Sequence, residues 1–258
     1  MPARRHGAAG ERRACPHGDT VPLVSAAAGR LAELGELWGL EDGQLAALAR
    51  ALDLLAGDPV APTAVRGAEA VDVHVADSLS ALALDEVRHA RAISDLGSGA
   101  GFPGLALAVA LPHAQVALVE SAARKCEFLS RLCAEAGVRN ARVVNARAEQ
   151  WPDGLDAHDL VTARALAPLG VVCEYAAPLL TIGGALVAWK AAVSASEAGA
   201  AQQAAAQLGL QAAEVVRSEP YAGSVAHHLH VYVKIAQTPD QYPRRAGVAR
   251  KRPIGGGS

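Results

Sequence analysis

Apolar residues recur at helical spacing through the first third of the chain. They then give way to short apolar runs separated by glycine-rich turns. From 21 to 84 the pattern is helical. Asp42 is placed to cap a helix in which Leu45, Leu48, Leu52 and Leu55 make one stripe, with Gly57 just past its end. Pro59-Val60-Ala61-Pro62 interrupts that pattern. A third helix is predicted over 69–84, with Val73, Leu79 and Leu82 turned inward. His74, Asp77 and Ser78 fall at i, i+3 and i+4 and share a face, which reads as a polar helix surface or as the rim of a site.

From about residue 90 the rhythm becomes strand–helix alternation, the signature of a parallel sheet. Strands are predicted at 91–96, 115–120, 141–145, 158–163 and 184–190. The intervening helices fall at 104–112, 122–136, 168–180 and 194–208, with a short turn at 148–152. Right-handed crossovers bring the C-terminal ends of such strands to one edge. Asp95, Glu120, Asn145, Arg164 and Lys190 then share the edge where open α/β sheets bind ligands. Near the end, Leu229, Val231, Val233 and Ile235 alternate with His230, Tyr232 and Lys234. This suggests an antiparallel strand with one less buried face. The expected division is a basic tail over 1–19, a helical region over 20–84, an α/β domain over 85–236 and a basic tail over 237–258.

Composition narrows the class. A chain of 258 residues buries a sizeable core, and with 51% apolar but only 3% aromatic residues that core is built from Ala, Val and Leu. No apolar run reaches the length of a membrane span, and the short run after the N-terminal arginines leads straight into a charged helix rather than a cleavage site. Cys15, Cys126, Cys133 and Cys173 show no metal-site spacing, and reduced thiols in a cytoplasmic protein are expected. Net charge is −2 but unevenly spread: the last eighteen positions hold Arg244, Arg245, Arg250, Lys251 and Arg252 and no acid. Such an end suits a polyanionic partner, and equally a solvated tail.

The chemistry concentrates in Asp95-Leu96-Gly97-Ser98-Gly99-Ala100-Gly101-Phe102-Pro103-Gly104, between a strand and a helix. Glycines there let the backbone take positive φ and let a nucleotide-like ligand approach the main chain. Gly99 to Gly104 fits the dinucleotide fingerprint, but such a match is weak in a chain with 25 glycines. An acid two positions before Gly97 repels a pyrophosphate and favours a cation such as S-adenosylmethionine. Glu120, ending the second strand, suits both ribose hydroxyls of either ligand. An NAD-dependent oxidoreductase and a non-catalytic RNA-binding module on the same fold are the alternatives.

Several segments then match one family in order. They are His74-x-x-Asp77-Ser78-Leu79, the loop from Asp95 to Gly104, Leu118-Val119-Glu120-Ser121 and Arg147-Ala148-Glu149. Asp159-Leu160-Val161-Thr162-Ala163-Arg164-Ala165-Leu166-Ala167-Pro168-Leu169, Gly183-Gly184, Lys190 and Tyr242-Pro243-Arg244-Arg245-Ala246-Gly247 complete the series. The chain resembles the ribosomal RNA small-subunit methyltransferase G family, also called glucose-inhibited division protein B, over roughly residues 60 to 253. Departures are Ala61-Pro62-Thr63 where Asn-Leu-Thr is usual, Val73 where an arginine is usual, and Ala191 where glycine is common.

The resemblance implies a class I methyltransferase (Rossmann-like) fold, a mostly parallel sheet with an antiparallel last strand behind a helical N-terminal part. It implies methyl transfer from S-adenosylmethionine to N7 of one guanine in the 530 loop of 16S rRNA. By position, Gly97, Gly99 and Phe102 contact the methyl donor at the loop, Glu120 the ribose, and Ala148 and Glu149 the adenine. Arg164 reaches the donor or the target base, unless it is tied up by Asp159 or Glu149. Guanine N7 already carries an in-plane lone pair, so no general base is needed and no metal is expected. Lys190, Arg244, Arg245, Arg250, Lys251 and Arg252 are the expected RNA contacts, on naked 16S rRNA or the small subunit, in a monomer without membrane attachment. His227, His228 and His230 lack an acidic companion in sequence and read as sheet residues.

Overall fold

The structure, a computed structural model, describes residues 23–224 and 227–255. The basic stretch 1–19 and Cys15 lie outside the described residues. Helix α1 (Leu23–Trp38) packs on α2 (Asp42–Gly57), whose Leu48, Ala51, Leu52 and Leu55 are buried as one stripe. Gly35 permits the close approach, since a Cβ there would stand 2.8 Å from Leu45 Cδ1. Asp42 is the first helical residue rather than the cap. Glu41 precedes it, and its N–H donates to Gln44 Oε1 at 2.8 Å.

The single helix expected over 69–84 is broken into pieces. A π-helical turn, Val71–Ala76, leads into α3 (Asp77–Leu79), a 3-10 turn Ser80–Ala83 and then α4 (Asp85–Arg88). The hydroxyls of Ser78 and Ser80 donate to the carbonyls of His74 and Asp77, competing with the regular helical ladder. His74, Asp77 and Ser78 are all buried, so their shared face is an interior joint and not a solvated surface.

The sheet follows. Strand β1 (Ala92–Leu96) leads to α5 (Gly104–Ala110), β2 (Gln115–Glu120), α6 (Ala123–Ala136), β3 (Ala141–Asn145) and β4 (His158–Arg164). Then come α7 (Leu169–Ala176), β5 (Leu180–Lys190), α8 (Ala195–Leu208), β6 (Leu210–Ser218), β7 (His227–Lys234) and a short α9 (Val248–Lys251). The strand order is β3-β2-β1-β4-β5-β7-β6, with β1 to β5 parallel and β7 antiparallel to both neighbours. This is the mostly parallel class I methyltransferase sheet expected, except that the antiparallel strand lies inside the edge. One apolar cluster joins the N-terminal helices, α5 and α6 on one face; the other joins α7, α8 and α9 on the opposite face.

Two expectations about the last third do not hold. Alternation in β7 predicted one buried face through Ile235, but Ile235 is exposed while Tyr232 and Lys234 are buried. Lys234 is tolerated inside because Nζ donates to Ala177 O and Leu180 O, each at 2.7 Å, and to Asp156 Oδ1 at 3.0 Å. The stretch over 237–255 is not a loose tail. Tyr242 and Ile254 pack against the second apolar cluster, Ala249 is buried, and Gly247 N–H donates to Glu149 Oε1 at 3.0 Å. Arg244 grips the buried Glu174 with both Nε and Nη2, and Nη2 also donates to Arg252 O. Its guanidinium is therefore committed to the fold rather than offered to RNA phosphate.

Arg244→Met leaves the Glu174 carboxylate buried without its partner, which costs about 3 kcal/mol. Urea unfolding checks this. Wild-type midpoints for the variant would show that the strap is not anchored there. Arg244→Met combined with Glu174→Gln recovers part of the loss.

Candidate functional site

A cavity of about 370 Å³ opens where β1, β2 and β4 end. Its floor is Leu96 and Gly97 from β1 and the turn after it, with Val119, Glu120 and Ser121 from β2. Gly97 has φ +69, and a Cβ there would stand 2.6 Å from Leu166 Cδ1, itself part of the cavity wall. Glycine is thus required twice, by the backbone and by the packing. Ala146, Arg147, Ala148 and Glu149 form a second side, after β3. Ala165, Leu166, Tyr175 and Arg250 complete the wall.

Glu120 is buried, with its carboxylate at the loop. Oε1 accepts from Ala122 N at 2.9 Å and Ser121 Oγ at 3.5 Å; Oε2 accepts from Gly99 N at 3.3 Å and lies 3.7 Å from Lys125 Nζ. Three of the four contacts are long, so the oxygens retain capacity for vicinal hydroxyls. Small apolar Ala148 and Ala165 beside Tyr175 suit a flat ring, and the charged part of the wall is mixed, with Glu120 and Glu149 beside Lys125, Arg147 and Arg250. A nucleoside with a charged tail fits this set. Gly97, Glu120, Ala148 and Glu149 are together here. Gly99 adjoins them through its bond to Glu120.

Other expected residues stand elsewhere. Asp95 is only 1% exposed and does not line the cavity. Oδ1 accepts from Thr162 Oγ1 at 2.9 Å, and burial raises its pKa against those hydrogen bonds. The expectation that Asp95 faces a cationic ligand therefore does not hold, since its carboxylate is turned into the sheet. Phe102 also does not line the cavity. It is buried and stacked on His74, with ring centroids 5.1 Å apart. Lys190 Nζ is paired with Glu197 at 2.7 Å. Of the C-terminal basic residues, Arg250 lines the cavity and donates to Leu166 O at 2.8 Å, while Arg245, Lys251 and Arg252 are exposed. Among the described residues no group of His, Cys, Asp or Glu could hold a metal, and no helix is long and apolar enough to cross a membrane. Cys126, Cys133 and Cys173 are free and buried.

Arg164 pairs with neither Asp159 nor Glu149. Asp159 caps the start of β1 through Arg91 N and Ala92 N, and Glu149 holds Gly247. Instead, Arg164 Nη1 donates to Asp77 Oδ2 at 2.7 Å and to Val73 O at 3.0 Å. Asp77 Oδ1 lies 2.7 Å from His227 Nδ1, and Asp77 O accepts from Trp189 Nε1 at 3.0 Å. His227 thus has the acidic companion that sequence spacing did not reveal. Tyr175, Leu166 and Lys125 were missed as site residues. Tyr175 carried a signal, as one of four tyrosines near the predicted nucleotide edge. Leu166 and Lys125 carried none.

The chain matches the family model described as rRNA small subunit methyltransferase G over residues 63–223. It is 39% identical over 190 residues to the ribosomal RNA small subunit methyltransferase G of Rubrobacter xylanophilus, covering 71% of this chain and 73% of that one. With the same-named protein of Roseiflexus castenholzii, identity is 44% over 165 residues, covering 62% and 69%. With that of Chloroflexus aggregans it is 38% over 234 residues, covering 87% and 97%.

The joint between helices and sheet has a pH signature. Burial, with the nearby Arg164 charge, lowers the His74 pKa to about 4. The unfolded chain takes up this proton below about 6.5, the folded one only near 4. The folded protein therefore loses stability as pH falls from 6.5 to 4. In His74→Gln that acid-side loss is smaller, as the urea midpoint at pH 7 against pH 4.5 will show. Identical pH dependence in both proteins would clear His74 of the effect.

Proposed function

The chain belongs to the rRNA small subunit methyltransferase G family, and from that membership we propose that it transfers a methyl group from S-adenosylmethionine to N7 of a guanine in the 530 loop of 16S rRNA. Membership removes the NAD-dependent oxidoreductase. The single observation that carries the reading is the Glu120 carboxylate at the tip of β2, facing a cavity floored by Gly97. When bound, S-adenosylmethionine supplies an electrophilic methyl group on a cationic sulfur.

The chain's own residues hold and orient. Glu120 accepts the ribose hydroxyls, Ala148 and Glu149 flank the adenine, and Gly97 and Gly99 let the ligand approach the backbone. Phe102 acts from behind, stacked on His74, by fixing the turn. Arg164 uses Nη1 on Asp77 and Val73, and its Nε and Nη2 make no hydrogen bond among the described residues. It is the donor for O6 of the base, which leaves the neighbouring N7 lone pair free to meet the methyl group. Proximity and alignment do most of the work, since N7 has no proton to lose. Arg245, Arg250, Lys251 and Arg252 supply positive potential toward RNA phosphates, whereas Lys190 and Arg244 act structurally. The enzyme works as a monomer in the cytoplasm, on the small subunit or its RNA.

Two variants test the reading. Glu120→Ala removes two hydrogen bonds to a charged acceptor and weakens S-adenosylmethionine binding by about tenfold or more, read by calorimetry. Arg164→Lys keeps the charge but loses the fork, so donor affinity persists while methyl incorporation into unmethylated small subunits falls about a hundredfold. Unchanged values in both, or absence of N7-methylguanine in the wild-type product, would overturn the assignment. A protein that binds both ligands without transfer would be the non-catalytic module.

A further inference from the structure

A second cavity, of about 630 Å³, is lined by Ala68, Glu69, Asp72, Val73, Tyr221 and His227, with Arg30 at its side. Arg164 stands at the boundary between the two cavities. Its chain neighbours Ala165 and Leu166 line the first, and its guanidinium bonds Val73 and, through Asp77, His227 of the second. We propose that this second cavity seats the target guanine, with Tyr221 stacked on the base and Glu69 reading its N1–H and N2–H edge.

The chemistry of the walls selects the base. Guanine carries two acceptors, O6 and N7, on one edge and adjacent donors, N1–H and N2–H, on another. Arg164 offers donors where the cavity meets the methyl-donor site. On the other side Asp72 is spent on Arg30 at 2.8 Å, but exposed Glu69 makes no ion pair among the described residues. A carboxylate accepts both guanine donors; adenine, with an acceptor at N1, gives it no such pair. Tyr221 is half-buried and packed against the N-terminal core, which presents its ring rigidly. Burial, followed by the charges of Asp77, Asp72 and Glu69, raises its phenol pKa.

The acids also suit the charge flow. The N7 lone pair forms the new N–C bond, the S–C bond breaks with its electrons left on a neutral thioether, and the positive charge passes to the base. No proton moves. Carboxylates around the ring favour that cationic product.

This inference rests on the methyltransferase reading, and the test separates the two. Steady-state kinetics on unmethylated small subunits compare wild type with Glu69→Gln and Tyr221→Leu, alongside calorimetry with S-adenosylmethionine. Both variants are expected to lose about tenfold or more in kcat/KM for the subunit, as for one charged hydrogen bond or one stacked base, with donor affinity within about twofold of wild type. Tyr221→Phe, which keeps the ring, retains most activity. Wild-type kcat/KM in both variants overturns the guanine seat and leaves the methyltransferase standing. Equal loss in Tyr221→Phe and Tyr221→Leu also overturns the stacking role. A wild type that transfers no methyl group removes both.

Discussion

Asp77 is the group on which the site depends. Only 2% exposed, it keeps a negative charge inside the protein by meeting Arg164 from β4 and His227 from β7, while its carbonyl takes the indole N–H of Trp189 from β5. A carboxylate so buried is unfavourable unless paired and hydrogen-bonded. Those partners key the N-terminal helical region to three strands at the edge where chemistry happens. The same grip restricts Arg164, whose rotamer freedom is spent in folding.

The electrostatic design follows from that joint. Acids face both cavities, and three arginines beside them are held by carbonyls or carboxylates. Arg250 leans on Leu166 O, Arg30 on Asp72 and Pro220 O, and Arg164 on Val73 O and Asp77. Such anchored cations are directional donors rather than mobile counter-ions. The positive charge of Arg245, Lys251 and Arg252 lies apart, on the surface.

The parallel strands and the glycine turn were legible because they are local: apolar runs of strand length, punctuated by glycine, leave little choice of topology. Glu120 was legible for the same reason, as it ends a predicted strand, whereas Glu149 was reached only through the family resemblance. What escaped depends on distant partners. Arg164 and Asp77 are 87 positions apart and His227 is 150 positions from Asp77. No spacing rule connects them. Asp95 misled because position next to a ligand loop does not say which way a side chain points, and Thr162 draws it inward. Lys234 misled because period-two alternation assumes a polar face meets water, whereas two buried carbonyls and the surface carboxylate of Asp156 receive its ammonium. The π-helical turn at Val71–Ala76 lay beyond any 3.6-residue pattern.

The strap over 242–254 leans on Glu174, Glu149 and Leu166 and brings Arg250 to the wall of the first cavity. Because a ribosome builds chains N-terminus first, all seven strands emerge before this segment does. A nascent chain can thus complete its sheet while that chamber still lacks one side, so the chamber closes last, after the scaffold has already formed.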